Sequence, residues 1–161
     1  MLNYLPIIIP ILILVITGLF IVKQQTAVII ERFGKFQSIR QAGLKLKIPL
    51  VDKIAGRISL KIQQLDVNVE TKTKDDVFVH LNIAVQFEIQ RDHVYNAFYK
   101  LQNPHEQITA FIFDTVRAEV PKMKLDDVFV KKDEIARAIQ RDLKEAMLNY
   151  GYDIVKALVT D

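Results

Sequence analysis

Val77–Ile89 reads VFVHLNIAVQFEI, and every odd position in it is apolar: Val77, Val79, Leu81, Ile83, Val85, Phe87 and Ile89. The even positions include His80, Asn82, Gln86 and Glu88. Side chains of a strand point alternately to its two faces, so this pattern predicts a strand with one buried face and one wet face. Upstream, RISLKIQQLDVNVE (57–70) has Ile58, Leu60 and Ile62 at even positions and Leu65, Val67 and Val69 at odd ones. A one-residue slip flips the apolar face, so a bulge or strand break is expected near Gln63–Gln64. KTKDD (72–76) reads as the turn between the two strands.

Downstream of Arg91 the period lengthens. Val94, Ala97, Phe98 and Leu101 fit a short helix. In NPHE, Asn103 is a helix N-cap, Pro104 suits the first helical position and Glu106 completes the start. The apolar face of that helix would be Ile108, Phe111, Ile112, Thr115 and Val116, with a stop before Pro121. A last helix is expected from about Lys131 to Tyr150, with Ile135, Ile139, Leu143 and Met147 as its stripe and Gly151 as its stop. That stripe reads as core, with a subunit contact as the sharper alternative. YDIVKALV (152–159) closes the chain as a strand. Strands first, helices next and a final strand make an α+β domain.

Nearer the start, Thr26–Ile30, a turn at Gly34 and a following strand form a hairpin. GLKLKIPLVDKI (43–54) places Leu44, Leu46 and Ile48 on one face if extended, with Lys45 and Lys47 on the other. Pro49 argues against a central strand. Leu44, Lys45, Leu46, Lys47, Ile48, Pro49, Leu50 and Val51 are candidates for membrane contact, and the opposite arrangement turns the leucines into the core.

The first residues point to lipid. Leu5–Val22, LPIIIPILILVITGLFIV, carries no charge, and its 18 residues would reach about 27 Å as a helix, near the ~30 Å hydrocarbon core. Tyr4 stands where an interfacial aromatic belongs. A cleaved signal peptide would show a basic leader and a small-residue cleavage site, and a buried helix would rarely be apolar all round. The expectation is a single-pass anchor over residues 1–23, with residues 24–161 as the domain behind it. The chain has a formal charge of +3, unevenly spread: residues 23–62 hold nine lysines and arginines against two acids. A basic segment behind a span favours anionic lipid over nucleic acid as partner and places the domain on the cytoplasmic side.

No enzyme is legible. With no cysteine there is no thiol chemistry, and His80, His93 and His105 have no ligand spacing. Asp75–Asp76 and Asp126–Asp127 read as turn and helix-start aspartates. There is no phosphate loop and no nucleophile motif. The expectation is no catalytic, cofactor or metal site.

RISLKIQQLDVNVETKTKDDVFV and the run from YNAFYK to GYDIVKALVTD, with the strings KLDDVF and GYDIV, resemble the SPFH (stomatin, prohibitin, flotillin) or band 7 superfamily. They are most similar to bacterial relatives of plant hypersensitive-induced response proteins. The resemblance implies an antiparallel strand-rich first half and helices packed on a sheet in the second. It implies a non-enzymatic membrane scaffold that self-associates into homo-oligomers and organises membrane microdomains or protein complexes. The alternative is a non-assembling regulatory partner of a membrane-anchored AAA protease or a transporter. The membrane-proximal motif maps to Gly43, Leu44, Ile48, Pro49, Leu50, Val51 and Asp52. The lysines between the leucines favour a surface contact over deep insertion. Plant relatives begin with a Met-Gly lipidation signal; this chain begins Met-Leu, so its helix is expected to replace the lipid. The family's C-terminal coiled coil lies outside residues 24–161, and cage closure by these residues alone is not expected.

Overall fold

A computed structural model describes the backbone of residues 5–160 and the side chains of residues 8–160. The chain divides into two compact units, residues 1–60 and 61–161. The boundary falls at the parity change, where Leu60–Ile62 interrupts the strands.

In the first unit, helix α1 (Leu5–Gly18) leads into β1 (Leu19–Val22), followed by β2 (Thr26–Arg32), β3 (Lys35–Arg40), β4 (Gly43–Leu46) and β5 (Asp52–Ser59). β1 pairs with β4, and β2 lies between β3 and β5; all these pairs are antiparallel. β2 is central and TAVII suits it: Ala27, Val28, Ile29 and Ile30 are all buried. Val22, Val28 and Ile30 form the core, with Phe20 and Ile54 packed against them.

The helix does not run through Leu5–Val22 as expected. α1 has 14 residues, about 21 Å of rise, and ends at Gly18. Residues 19–22 leave the helix and pair with β4, Leu19 opposite Leu46 and Ile21 opposite Leu44. Gly18 makes this possible: its carbonyl accepts the Lys47 amide at 2.9 Å, and a Cβ there would stand 2.5 Å from the Lys47 carbonyl oxygen. Among the described residues no helix is long and apolar enough to cross a membrane. By its pairing with β4, β1 belongs to the first unit. Tyr4 lies outside the described residues.

The second unit contains β6 (Gln63–Lys72), β7 (Phe78–Ile89), α2 (Val94–Tyr99), α3 (Pro104–Glu119), α4 (Leu125–Val130), α5 (Lys132–Leu148) and β8 (Tyr152–Thr160). The order β6-β7-β8 is antiparallel, with β7 in the middle. Val79, Leu81, Ile83, Val85, Phe87 and Ile89 are buried and His80 is exposed, as the alternation predicts. Helix α5 packs on β8 and on α3, and α3 packs on β6. Ile108, Ile112 and Val116 of α3 are fully buried, while Phe111 stays partly exposed.

Ile135, Ile139, Leu143 and Met147 all lie in this core, the first of the two readings of that stripe. Side chains so enclosed within one chain are not available to a neighbouring subunit, which corrects their alternative assignment as subunit contacts. Sequence reading missed α4. Asp126 and Asp127 sit in its first turn, where acids favour the positive end of the helix. Lys131, with φ −103° and ψ 19°, then separates it from α5.

Candidate functional site: the apolar end of the first unit

The β1–β4 ribbon has an unusual sidedness. Leu19, Ile21, Leu44 and Leu46 share one face by register, and all four are exposed, Ile21 and Leu44 by 69% and 65%. Phe20, opposite Lys45, and Val22, opposite Gly43, take the inner face, where both pack into the core. The leucines and Lys45 do occupy opposite faces, but the apolar face is the open one, and Lys45 is half-buried. This excludes the arrangement in which the leucines of β4 turn inward. A water-facing sheet normally shows the reverse.

Beyond β4 the chain turns over Lys47–Val51. Ile48 is exposed, Pro49 and Val51 are half-buried, and Leu50 is 99% exposed with φ +69°. Such a φ disfavours any residue with a Cβ, so the turn displays an apolar side chain from a strained position. What holds it is Asp52. Its Oδ2 accepts the Ile48 amide at 2.9 Å, and its own amide donates to the Ile48 carbonyl at 2.9 Å. Arg32 clasps the same carboxylate with both arms of its fork, Nε to Oδ1 at 2.7 Å and Nη2 to Oδ2 at 3.3 Å. The Arg32 hydrogen bond, joined by that from the Ile48 amide, holds the Asp52 carboxyl below the usual carboxylate range.

Helix α1 joins this end directly, through the Lys47–Gly18 hydrogen bond. Its residues from Ile8 to Ile16 are exposed and apolar, with no charge in the helix. Thr17 returns its hydroxyl to the Ile13 carbonyl at 2.8 Å, so even this polar group is satisfied locally. The eight residues expected at a membrane contact therefore form one continuous stretch, with α1 and β1 beside it. Sequence reading missed β1 as part of this surface, because its four residues end an apolar run that looks helical throughout.

In the second unit the described carboxylates serve turns and helix contacts. Asp75 closes the β6–β7 turn: Thr73 Oγ1 donates to its Oδ1 at 2.6 Å, and the Leu125 amide donates to the same oxygen at 3.1 Å. Thr115 Oγ1 donates to Asp142 at 3.2 Å in a groove between α3 and α5. Among the described residues no three His, Cys, Asp or Glu side chains gather to hold a metal.

Residues 20–161 match the SPFH domain / Band 7 family. Hypersensitive-induced response protein 4 of Arabidopsis thaliana is 43% identical over 141 residues, covering 87% of this chain and 48% of that protein. Stomatin-like protein 2, mitochondrial, of Homo sapiens is 28% identical over 148 residues, covering 90% of this chain and 40% of that protein. The chain thus spans about half the length, or less, of these curated relatives. An α+β chain with this antiparallel strand-rich first half, helices on a sheet in its second, and a match over nearly all of its length belongs to the SPFH domain / Band 7 family.

Proposed function

We propose that this chain is the membrane-attached part of a non-enzymatic scaffold, seated on anionic bilayer by its first unit and self-associating side by side to organise membrane microdomains or membrane protein complexes. The observation that carries the reading is the open apolar face of Leu19, Ile21, Leu44 and Leu46 beside α1 and the Leu50 turn. Contiguous apolar surface of this kind marks an interaction site. The bases of residues 23–62 supply attraction to anionic head groups. α1 supports a shallow or partial insertion in place of a complete crossing. Family membership supports the scaffold role.

The test is flotation of the full chain with phosphatidylglycerol-containing vesicles at low and high salt. Co-flotation that persists at high salt is expected, because apolar insertion is not screened. A chain that stays with the soluble fraction under both conditions refutes the lipid contact. Self-association is tested by cross-linking in native membranes, where monomer alone at native abundance overturns it.

A second reading is regulatory contact with a membrane-anchored AAA protease or a transporter, without large homo-oligomers. It is favoured by Phe129 and Val130 at the end of α4, both exposed, Val130 by 82%. Cross-links from position 130 to another protein, and none to a second copy, select this reading.

A further inference from the structure

Leu50 is not the only bulky apolar residue displayed from a strained backbone. Phe33 has φ +51° and Gly34 φ +77° in the two-residue loop joining β2 to β3. With both φ positive the loop takes the type I′ form, in which Asn, Asp or Gly is the usual choice at the first position. Here that position carries a phenylalanine, and it is 82% exposed. A residue that is poor for the turn and poor for water gains only where its ring meets an apolar medium.

The register shows where that ring stands. Arg32 pairs with Lys35 on one side and with Asp52 on the other. The Phe33 loop directly follows Arg32, and the Leu50 turn directly precedes Asp52. Both tips therefore lie at the same end of the sheet, on adjacent strands about 4.8 Å apart. The Asp52 carboxylate binds the base of each tip at once, Arg32 on one side and the Ile48 amide on the other. Helix α1 leaves from this same end through Gly18 and Lys47. Lys35, Lys47 and Lys53 flank the tips at their base. Apolar tips over a basic collar complement an anionic bilayer surface, with rings in the acyl boundary and ammonium groups among the phosphates.

We propose that Phe33 is a second membrane-entering tip, paired with Leu50, and that Asp52 is the positioning residue that holds the two at one depth. The proposal rests on the reading that the first unit meets the bilayer, and it adds a residue outside the 44–51 segment.

The cysteine-free chain allows single labels. Full-length Phe33→Cys, Leu50→Cys, Leu12→Cys in α1 and Gln37→Cys on β3 each receive an environment-sensitive fluorophore. They are mixed with phosphatidylcholine–phosphatidylglycerol vesicles carrying a doxyl group near the top of the acyl chain. Labels at 33 and 50 should be quenched alike, at least about twofold more than at 37, as expected for residues within ~5–10 Å of the acyl boundary. Labels at 12 and 50 quenched with 33 left in water overturns the proposal and leaves the bilayer reading standing. Labels at 12 and 50 both in water overturns the bilayer reading itself. A label at 33 that is shielded without vesicles and unquenched with them identifies a protein contact and also overturns the proposal. Adding Asp52→Ala should reduce quenching at 33 and 50 and leave that at 12 unchanged. Unchanged quenching at 33 removes Asp52 from the positioning role.

Discussion

The two units use alternating strands in opposite senses. In β7 the apolar set, Val79 to Ile89, faces a core closed by α3 and α5. In the β1–β4 ribbon the apolar set, Leu19, Ile21, Leu44 and Leu46, faces outward, while Lys45 sits on the inner side. A period of two shows that a strand has two unlike faces, but not which one meets water. In the second unit, amphipathic helices with matching stripes settle it. Among the described residues of the first unit the helix is α1, which is apolar on every side and has no polar face to turn to water.

The contrast is broken most severely by equal truncations on the two sides. Leu143→Ala empties a fully buried site between α5 and its neighbours and should cost about 2–5 kcal/mol in denaturant unfolding. Leu46→Ala removes the same atoms from an exposed face, should change stability by no more than ~0.5 kcal/mol, and should weaken vesicle binding. A comparable stability loss at Leu46 would mean that its face is covered within the chain.

Two glycines give the next contrast. Gly151 has φ +82°, and an added Cβ would meet His93 Cβ at 2.6 Å and the His93 carbonyl oxygen at 2.7 Å. Gly34 has φ +77°, with nothing within 4 Å. Gly151→Ala combines strain with a clash against backbone and should cost more than about 2 kcal/mol. Gly34→Ala bears the left-handed backbone alone, about 1 kcal/mol. Similar shifts in unfolding midpoint would place the whole cost in the dihedral angle.

These cases show where the sequence was legible. β7, α3 and α5 were readable because their periods extend over twelve residues or more, and β8 because Gly151 sets off a β-branched apolar run. The break of α1 at Gly18 was not. A glycine inside an apolar run is tolerated in a helix, and the competing partner, Lys47, is almost thirty residues away. Helix α4 is a six-residue element joined to α5 by the single residue Lys131, too short for a period to show. At the candidate site the segment 44–51 was legible as amphipathic, but not its outward face. Phe33 was hidden because nothing in ERFGK announces which residue takes positive φ besides the glycine.

Leu50→Gly should act in the opposite direction to every truncation in the second unit. It relieves a side chain at φ +69° and should stabilise the chain by up to about 1 kcal/mol, less the greater freedom that glycine has when unfolded. The same variant should bind anionic vesicles more weakly. A gain in stability with a loss of binding identifies the strain as serving the contact. A loss in both would show that the Leu50 side chain supports the turn itself.

The smallest effect sharpens the comparison at matched aspartates. Asp52 in the first unit and Asp75 in the second each secure a turn, and each carboxyl is held below its ordinary value. The cause at Asp52 is chiefly the Arg32 hydrogen bond, with the Ile48 amide second; at Asp75 it is chiefly the Thr73 hydroxyl. A carboxyl whose folded value is lowered contributes stability that is fully present above its unfolded value, about 3.9, and is lost only as pH falls through the folded value. Protection of the Ile48 amide against hydrogen exchange should therefore hold from neutral pH down to the ordinary carboxylate range and decline below it. Asp52→Asn should remove that decline. Because a cation is the chief partner of Asp52, with Lys47 adding to it, while Lys124 is only the last cause at Asp75, salt should raise the midpoint at Asp52 more than that at Asp75. A midpoint at Asp52 that does not move with salt would mean that hydrogen-bond geometry alone, without the guanidinium charge, holds the Leu50 turn in place.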